Sequence, residues 1–340
     1  MNAKAVAACV LGTIAFAAFV GAAHAQIFPT RPIPVIASWS AHDAADMQVD
    51  PILVSDSDKE RSADFDEHDR TLGPLIFRDE FQRFHIWDGR DGWNVTGGPQ
   101  WGGPQPIAPP SFVHRVVPQG TEPFNNDLGW YLDPSFQPAT VNPFSADDGV
   151  LSIKATPVPA PKNDFSSFPY TTGMINSYQS FKQLYGYFEM RAKLPRGTGF
   201  LPAFWLLPAD GSHGEIDAME VLGSDPTQLY TTVHSFSPGP NDTATGKTTT
   251  IPDASKGFHT YGVDWQLDYI TWYFDGEQVF QAKTPSDLHT PMYMIANLAV
   301  AGPGGLWPAV GVPAPGSAAE MKIDYIRVYK MNYRRKLVTH

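Results

Sequence analysis

Residues 214–221 read Gly214-Glu215-Ile216-Asp217-Ala218-Met219-Glu220-Val221, with three carboxylates in six positions of an otherwise apolar run. The apolar residues between the acids make this a strand that is buried on at least one side. Side chains in a regular strand alternate between faces, so Glu215 and Asp217 point the same way. Glu220 points the opposite way unless one extra residue is inserted. A β-bulge at Ala218-Met219 returns Glu220 to the face of the other two. On a helix, positions 215 and 220 are not facing neighbours, and no comparable site results.

Gathering like charges in a half-buried strand is costly, and crowding with desolvation raises at least one carboxyl pKa. The outcome is a protonated acid beside an ionised carboxylate at working pH. That pair is what cleavage of a glycosidic bond requires, and a short separation between the two goes with retention of configuration. Two other readings compete, a metal site and a solvated acidic edge. Ile216, Met219 and Val221 weigh against the edge. A calcium site more often sits on a Gly/Asn-rich loop than in mid-strand.

Outward from this stretch the pattern is β from about Pro74. Short runs rich in β-branched and aromatic residues recur at 75–77, 150–153, 185–190, 229–233, 261–265, 270–274 and 321–329, punctuated by Gly, Pro, Asn and Asp. The Asp275-Gly276 pair between Ile270–Phe274 and Gln278-Val279-Phe280 predicts a two-residue hairpin. Ser286–His289 allows one helical turn, and no longer amphipathic helix is legible. Many short strands with such turns indicate an all-β sandwich or jelly roll. Gly97–Pro110 and Gly302–Gly316 read as wide Gly/Pro-rich loops.

The first 25 residues read as an export signal. Lys4 supplies the positive region, Ala5–Val20 the apolar one, and Ala23-His24-Ala25 the cleavage pattern. The expected location is therefore secreted or periplasmic, with no membrane association after cleavage. Residues 26–73, proline-rich and then aspartate-rich, read as an acidic arm or linker, leaving 74–331 as the folded domain. The sole cysteine, Cys9, falls in the signal, so no disulfide, thiolate metal site or cysteine nucleophile is expected after it. A formal charge of −11 disfavours nucleic acid and anionic lipid as partners. Aromatic residues at 13% suit a neutral sugar polymer, and a monomer is expected.

The segment Glu215-Ile216-Asp217-Ala218-Met219-Glu220 resembles the E-x-D-x-x-E signature of family 16 glycoside hydrolases, in the bulged form of laminarinase-like members. The likeness extends in order through 77–81, 185–195, 202–208, 297–302 and 323–329, and so covers about Pro74 to Lys330. It implies a concanavalin A-like β-jelly-roll sandwich with a concave substrate cleft. It implies Glu215 as nucleophile, Glu220 as general acid/base, and Asp217 between them as a tuner of their charge. Trp205 is implied to stack on the sugar at the cleavage point, and His234 to approach the acid/base side. Asn297 belongs to the same cleft. Asn125-Asn126-Asp127-Leu128-Gly129-Trp130-Tyr131 resembles the family's N-N-E-x-Q-x-Y subsite segment, which makes Asn126, Asp127 and Trp130 substrate contacts. Asp127 and Gly129 depart from that pattern. No cofactor is implied for catalysis. A structural calcium is common in the family, and Glu80, Gly149 and Asp324 match the positions that supply it. The sequence around 203–223 is most similar to bacterial β-glucanases and exopolysaccharide depolymerases acting on β-1,3 or mixed β-1,3/1,4 linkages. The implied partner is thus a polysaccharide. A binding protein without activity and a transglycosylase are the competing readings.

Overall fold

The structure is a computed structural model that describes residues 70–86, 94–95, 98–101, 127–132, 142–158, 168–178, 180–239, 241–304 and 307–333. The expected signal at 1–25, nearly all of the arm at 26–73, and Asn126 lie outside the described residues. The described part is almost wholly β. In chain order the strands are β1 (Arg70–Asp79), β2 (His85–Ile86), β3 (Asn94–Val95), β4 (Gly98–Trp101), β5 (Gly129–Tyr131), β6 (Phe144–Asp147), β7 (Val150–Pro157), β8 (Tyr170–Thr172), β9 (Met174–Asn176) and β10 (Gly186–Lys193). There follow β11 (Phe200–Pro208), β12 (Glu215–Val221), β13 (Gln228–Ser235), β14 (Thr243–Thr250), β15 (His259–Trp265), β16 (Tyr269–Phe274), β17 (Glu277–Lys283), β18 (Met292–Val300) and β19 (Ala319–Tyr333).

Two large sheets make the sandwich. One has six strands in the order β14-β13-β12-β11-β18-β9. The other runs β17-β16-β15-β10-β19-β7-β8-β5, with β1 beside β19 and β6 beside β7. Strands far apart in sequence are neighbours, as in a jelly roll. The period-2 pattern sorts side chains between the layers. In β18, Met292, Met294, Ala296, Leu298 and Val300 face the sandwich core, while Tyr293, Ile295 and Ala299 join a second cluster on the other side of the sheet. β11 divides likewise, with Phe204 and Leu206 inward and Trp205 and Leu207 outward. From the facing sheet Phe188, Met190, Trp265, Trp272, Ile326 and Val328 complete the core, all without solvent exposure.

The expected hairpin is present. Asp275 (φ 48°) and Gly276 (φ 82°) link β16 to β17, and Phe274 pairs with Glu277. Positive φ at both central residues is the geometry that matches strand twist. Three expectations need correction. Ser286–His289 is a turn closed by Leu288 N–H to Pro285 O, not a helix, because Leu288 is drawn fully into the core. Part of the loop at 97–110 is strand β4, held where the buried Trp101 Nε1–H donates to Asp79 Oδ2 at 2.7 Å. The folded domain starts before residue 74, because β1 begins at Arg70 and pairs with Tyr333.

β14 carries no apolar signal. Its sequence, TATGKTTT, is exposed almost throughout and forms the outer edge of the six-stranded sheet. Lys247 Nζ donates to the carbonyl of Val279 on β17, the edge of the other sheet, at 2.8 Å.

One contact joins the two layers at the centre. Trp272, on β16 and wholly buried, donates its Nε1–H to the backbone carbonyl of Asp217 at 2.8 Å. Trp272→Phe removes that donor and leaves the carbonyl buried without it. We expect a loss of about 2–4 kcal/mol in urea unfolding with unchanged m-value. A loss under about 0.5 kcal/mol would mean that the contact contributes nothing to stability.

Candidate active site

β12 pairs with β11 and β13, and both ladders slip at the same place. Against β11, Met219 faces Phe204 while Asp217 faces Trp205, so Ala218 is the additional residue. Against β13, Asp217 faces Thr232 and Glu220 faces Tyr230. The bulge therefore sits at Ala218-Met219, where the alternation of acids requires it. Ile216, Met219 and Val221 enter the core with no exposure. Glu215, Asp217 and Glu220 share the other face with Trp205. Gly214, at φ 118°, leads into the strand, and a Cβ there would lie 2.3 Å from Leu288 Cδ2. Only glycine accommodates both the angle and the approach.

His234 lies opposite Glu215 in the ladder. Its Nε2 is 3.3 Å from Asp217 Oδ2 and its Nδ1 is 2.9 Å from Asp242 Oδ2. Tyr230 is the residue across from Glu220 in the ladder, and the charge of His234 nevertheless reaches Glu220. Burial favours the neutral imidazole, but hydrogen bonds and charge from Asp217 and Asp242 prevail and push His234 up to about 9. Burial, then the charge of Asp217, pushes Glu220 up to about 8, with His234 acting against them. Burial also holds Glu215 well above the usual carboxylate range, reinforced by Asp217 and then by Glu220 and Asp242. Oxygen and nitrogen atoms of Glu215, Asp217 and His234 all lie within 4.8 Å of one another. Such a set titrates as a unit and keeps a proton among its carboxyls at neutral pH. It can present a carboxylate nucleophile and a carboxylic acid on one surface.

Aromatic rings line that surface. Trp205 is half-buried among Tyr131, Met174, Tyr293 and Ile295, and its Nε1–H donates to Asn297 Oδ1 at 2.8 Å. Beyond Glu220, Tyr230 meets Trp307 edge to face at 4.7 Å. Asp127 accepts from the Tyr131 hydroxyl at 3.2 Å, and burial raises its carboxyl to about 7 against the pull of that bond. Trp130 does not join them. It is 5% exposed and packs with Leu132 and Phe168 in a separate cluster, because its neighbour Tyr131 takes the cleft-facing position on β5. Sequence reasoning missed Asp242, Tyr131, Tyr230 and Trp307. Tyr131 stood in the quoted segment, whereas Asp242 carried no local signal.

Glu80, Gly149 and Asp324 meet on the other sheet, beside β19. Asp79 pairs with Ile326, Leu151 pairs with Ile323, and a Cβ on Gly149 would lie 3.3 Å from the Glu80 carbonyl oxygen. Their carboxylates are already engaged. Arg327 grips both oxygens of Glu80 at 2.8 and 2.9 Å, and Arg191 pairs with Asp324. These carboxylates fit the arginines, and Asp324 Oδ1 and backbone carbonyls are the oxygens left for an ion.

A family model described as glycosyl hydrolases family 16 matches residues 137–327. Among curated proteins, the chain is 43% identical over 269 residues to endo-1,3-1,4-beta-glycanase ExsH of Rhizobium meliloti (strain 1021), spanning 78% of this chain and 53% of that protein. It is 33% identical over 255 residues to glucan endo-1,3-beta-glucosidase A1 of Niallia circulans, spanning 62% and 36%. The chain thus spans about half the length, or less, of these relatives. Among solved structures, the laminarinase catalytic domain from Thermotoga maritima MSB8 superposes with a TM-score of 0.58 at 26% identity, covering 76% of this chain and 99% of that one.

Two measurements test this electrostatic account. Glu220 and His234 both bind protons more tightly folded than unfolded, at about 8 and about 9. Their stabilisation is complete below the ordinary carboxylate and imidazole values and falls as pH rises through these values. Glu220→Gln should therefore flatten the decline in Tm between pH 5 and 9 and raise Tm at pH 8 by about 2–4 °C. At the other site the arginines already supply the positive charge. EDTA should leave Tm within about 1 °C, whereas a drop of several degrees that calcium reverses would show an ion holding that edge.

Proposed function

Given that the chain belongs to glycosyl hydrolases family 16, we propose that it is an endo-acting β-glucan hydrolase that cleaves β-1,3 or mixed β-1,3/1,4 linkages, or a related bacterial exopolysaccharide, with retention of configuration. The bulge at Ala218-Met219 carries this reading, since it sets Glu215, Asp217 and Glu220 on one aromatic-lined surface. Glu215 attacks the anomeric carbon while Glu220 passes its proton to the departing glycosidic oxygen. The resulting ester discharges Glu215, which relieves its crowding by Asp217 and Glu220. Glu220, now a carboxylate, takes a proton from water, and that water displaces the ester. Asp217, with His234 Nε2 3.3 Å from its Oδ2, stands between the two glutamates and orients them. Trp205 offers an aromatic face to the sugar at the cleavage point.

The substrate class draws support from the relatives, whose names specify 1,3-1,4-beta-glycan and 1,3-beta-glucan. The acidic chain suits a neutral polymer better than a sulfated galactan. The signal-like start supports action outside the cytoplasm, in the periplasm or beyond.

The full chain should release reducing ends from laminarin or lichenan and not from carrageenan. Proton NMR of early products should show the β-anomer before mutarotation. Glu215→Gln should lower kcat by on the order of 10⁴. Equal binding of glucan by both proteins with hydrolysis by neither would sink the enzyme reading in favour of a binding protein. Initial release of the α-anomer would exclude retention.

A further inference from the structure

A line of hydrogen bonds reaches Trp205 along the cleft side of the six-stranded sheet. Trp205 Nε1–H donates to Asn297 Oδ1 at 2.8 Å, Asn297 Nδ2–H donates to the Tyr131 oxygen at 3.3 Å, and the Tyr131 O–H donates to Asp127 Oδ2 at 3.2 Å. Chemistry fixes the polarity of the first two links, and the third follows when Asp127 is ionised. An indole N–H donates and never accepts, so Asn297 must turn its carbonyl oxygen toward Trp205. Its amide hydrogens then face Tyr131. The hydroxyl, having accepted, has one proton left to give, and Asp127 receives it. Asp127 ends the line because it can always accept.

The line also ties elements together. Trp205 is on β11 and Asn297 on β18, while Tyr131 comes from β5 at the margin of the other sheet. Tyr131 is 2% exposed and Asn297 5%. A fully satisfied buried network rigidifies what it joins. Stacking on a sugar ring depends on the tilt of the indole, and small misplacement costs productive binding.

Resting on the reading of Trp205 as the sugar platform, we infer that Tyr131 and Asp127 are positioning residues, which fix the plane of the Trp205 indole through Asn297 and so set affinity for the glucan. They act without touching the reacting atoms.

The test uses the full chain labelled with ¹⁵N-indole tryptophan. The Trp205 N–H resonance is identified by its loss in Trp205→Phe. It should exchange slowly with D₂O in the unaltered protein. It should move and exchange faster in Tyr131→Phe and in Asp127→Leu, yet hold its position in Asp127→Asn, which keeps an acceptor. With laminarin, Tyr131→Phe should raise KM roughly two- to tenfold while kcat changes less than twofold. A Trp205 resonance that exchanges freely in the unaltered protein, or that ignores both Tyr131→Phe and Asp127→Leu, overturns the inference, and the first of these needs no variant to fold. A resonance that moves while KM stays constant overturns the link to affinity. Failure of the unaltered chain to cut any glucan would instead strike the proposed function, and the resonance would still decide the coupling.

Discussion

One additional residue in one strand governs the geometry of the site. A strand has a period of two, so positions 215, 217 and 220 cannot share a face without an insertion. The insertion has its own cost, because it breaks the ladder and leaves backbone groups to be paired elsewhere. The opposite sheet meets that need through the indole of Trp272, which reaches the Asp217 carbonyl. The bulge is thus held from inside the core, while Gly214 allows the strand to begin at an angle that other residues resist. Packing of the two layers and presentation of the acids are one problem with one solution.

The electrostatics follow from that geometry. Three carboxyls on one surface repel, and burial adds to the penalty. The protein offsets part of it with an imidazole clasped between Asp217 and Asp242. It leaves part unrelieved, as the raised Glu215 and Glu220 show. A carboxyl that retains its proton near neutrality is a cost in folding and a resource in acid catalysis. The site is built where stability and chemistry pull in opposite directions.

Much of this is written locally in the chain. The bulge was legible because acids at 215, 217 and 220 conflict with strand alternation, and Ile216, Met219 and Val221 show which face is buried. The Asp275-Gly276 turn specifies its own backbone angles. What escaped reading depends on register or on distant partners. His234 sits across the ladder from Glu215 because of how β13 slides along β12, and a single strand does not encode that slide. Asp242 matters only because a turn brings it to His234. Tyr131 and Trp130 are adjacent, and the pairing of β5 with β8 decides which of them meets Asn297. β14 has no apolar residue pattern, so only its ladder to β13 makes it a strand.

That last strand bears on how the molecule behaves among copies of itself. β14 leaves a row of backbone donors and acceptors at the rim of the six-stranded sheet, a template on which another chain could add. Its threonines, Gly246 and Lys247 offer such a chain no greasy surface to stick to. Lys247 also places a positive charge at mid-strand while reaching across to β17. The cleft side of the same sheet is rich in aromatic rings because it must hold something. The rim is plain, and polar side chains with one lysine at an edge are the composition that disfavours edge-to-edge growth into fibres.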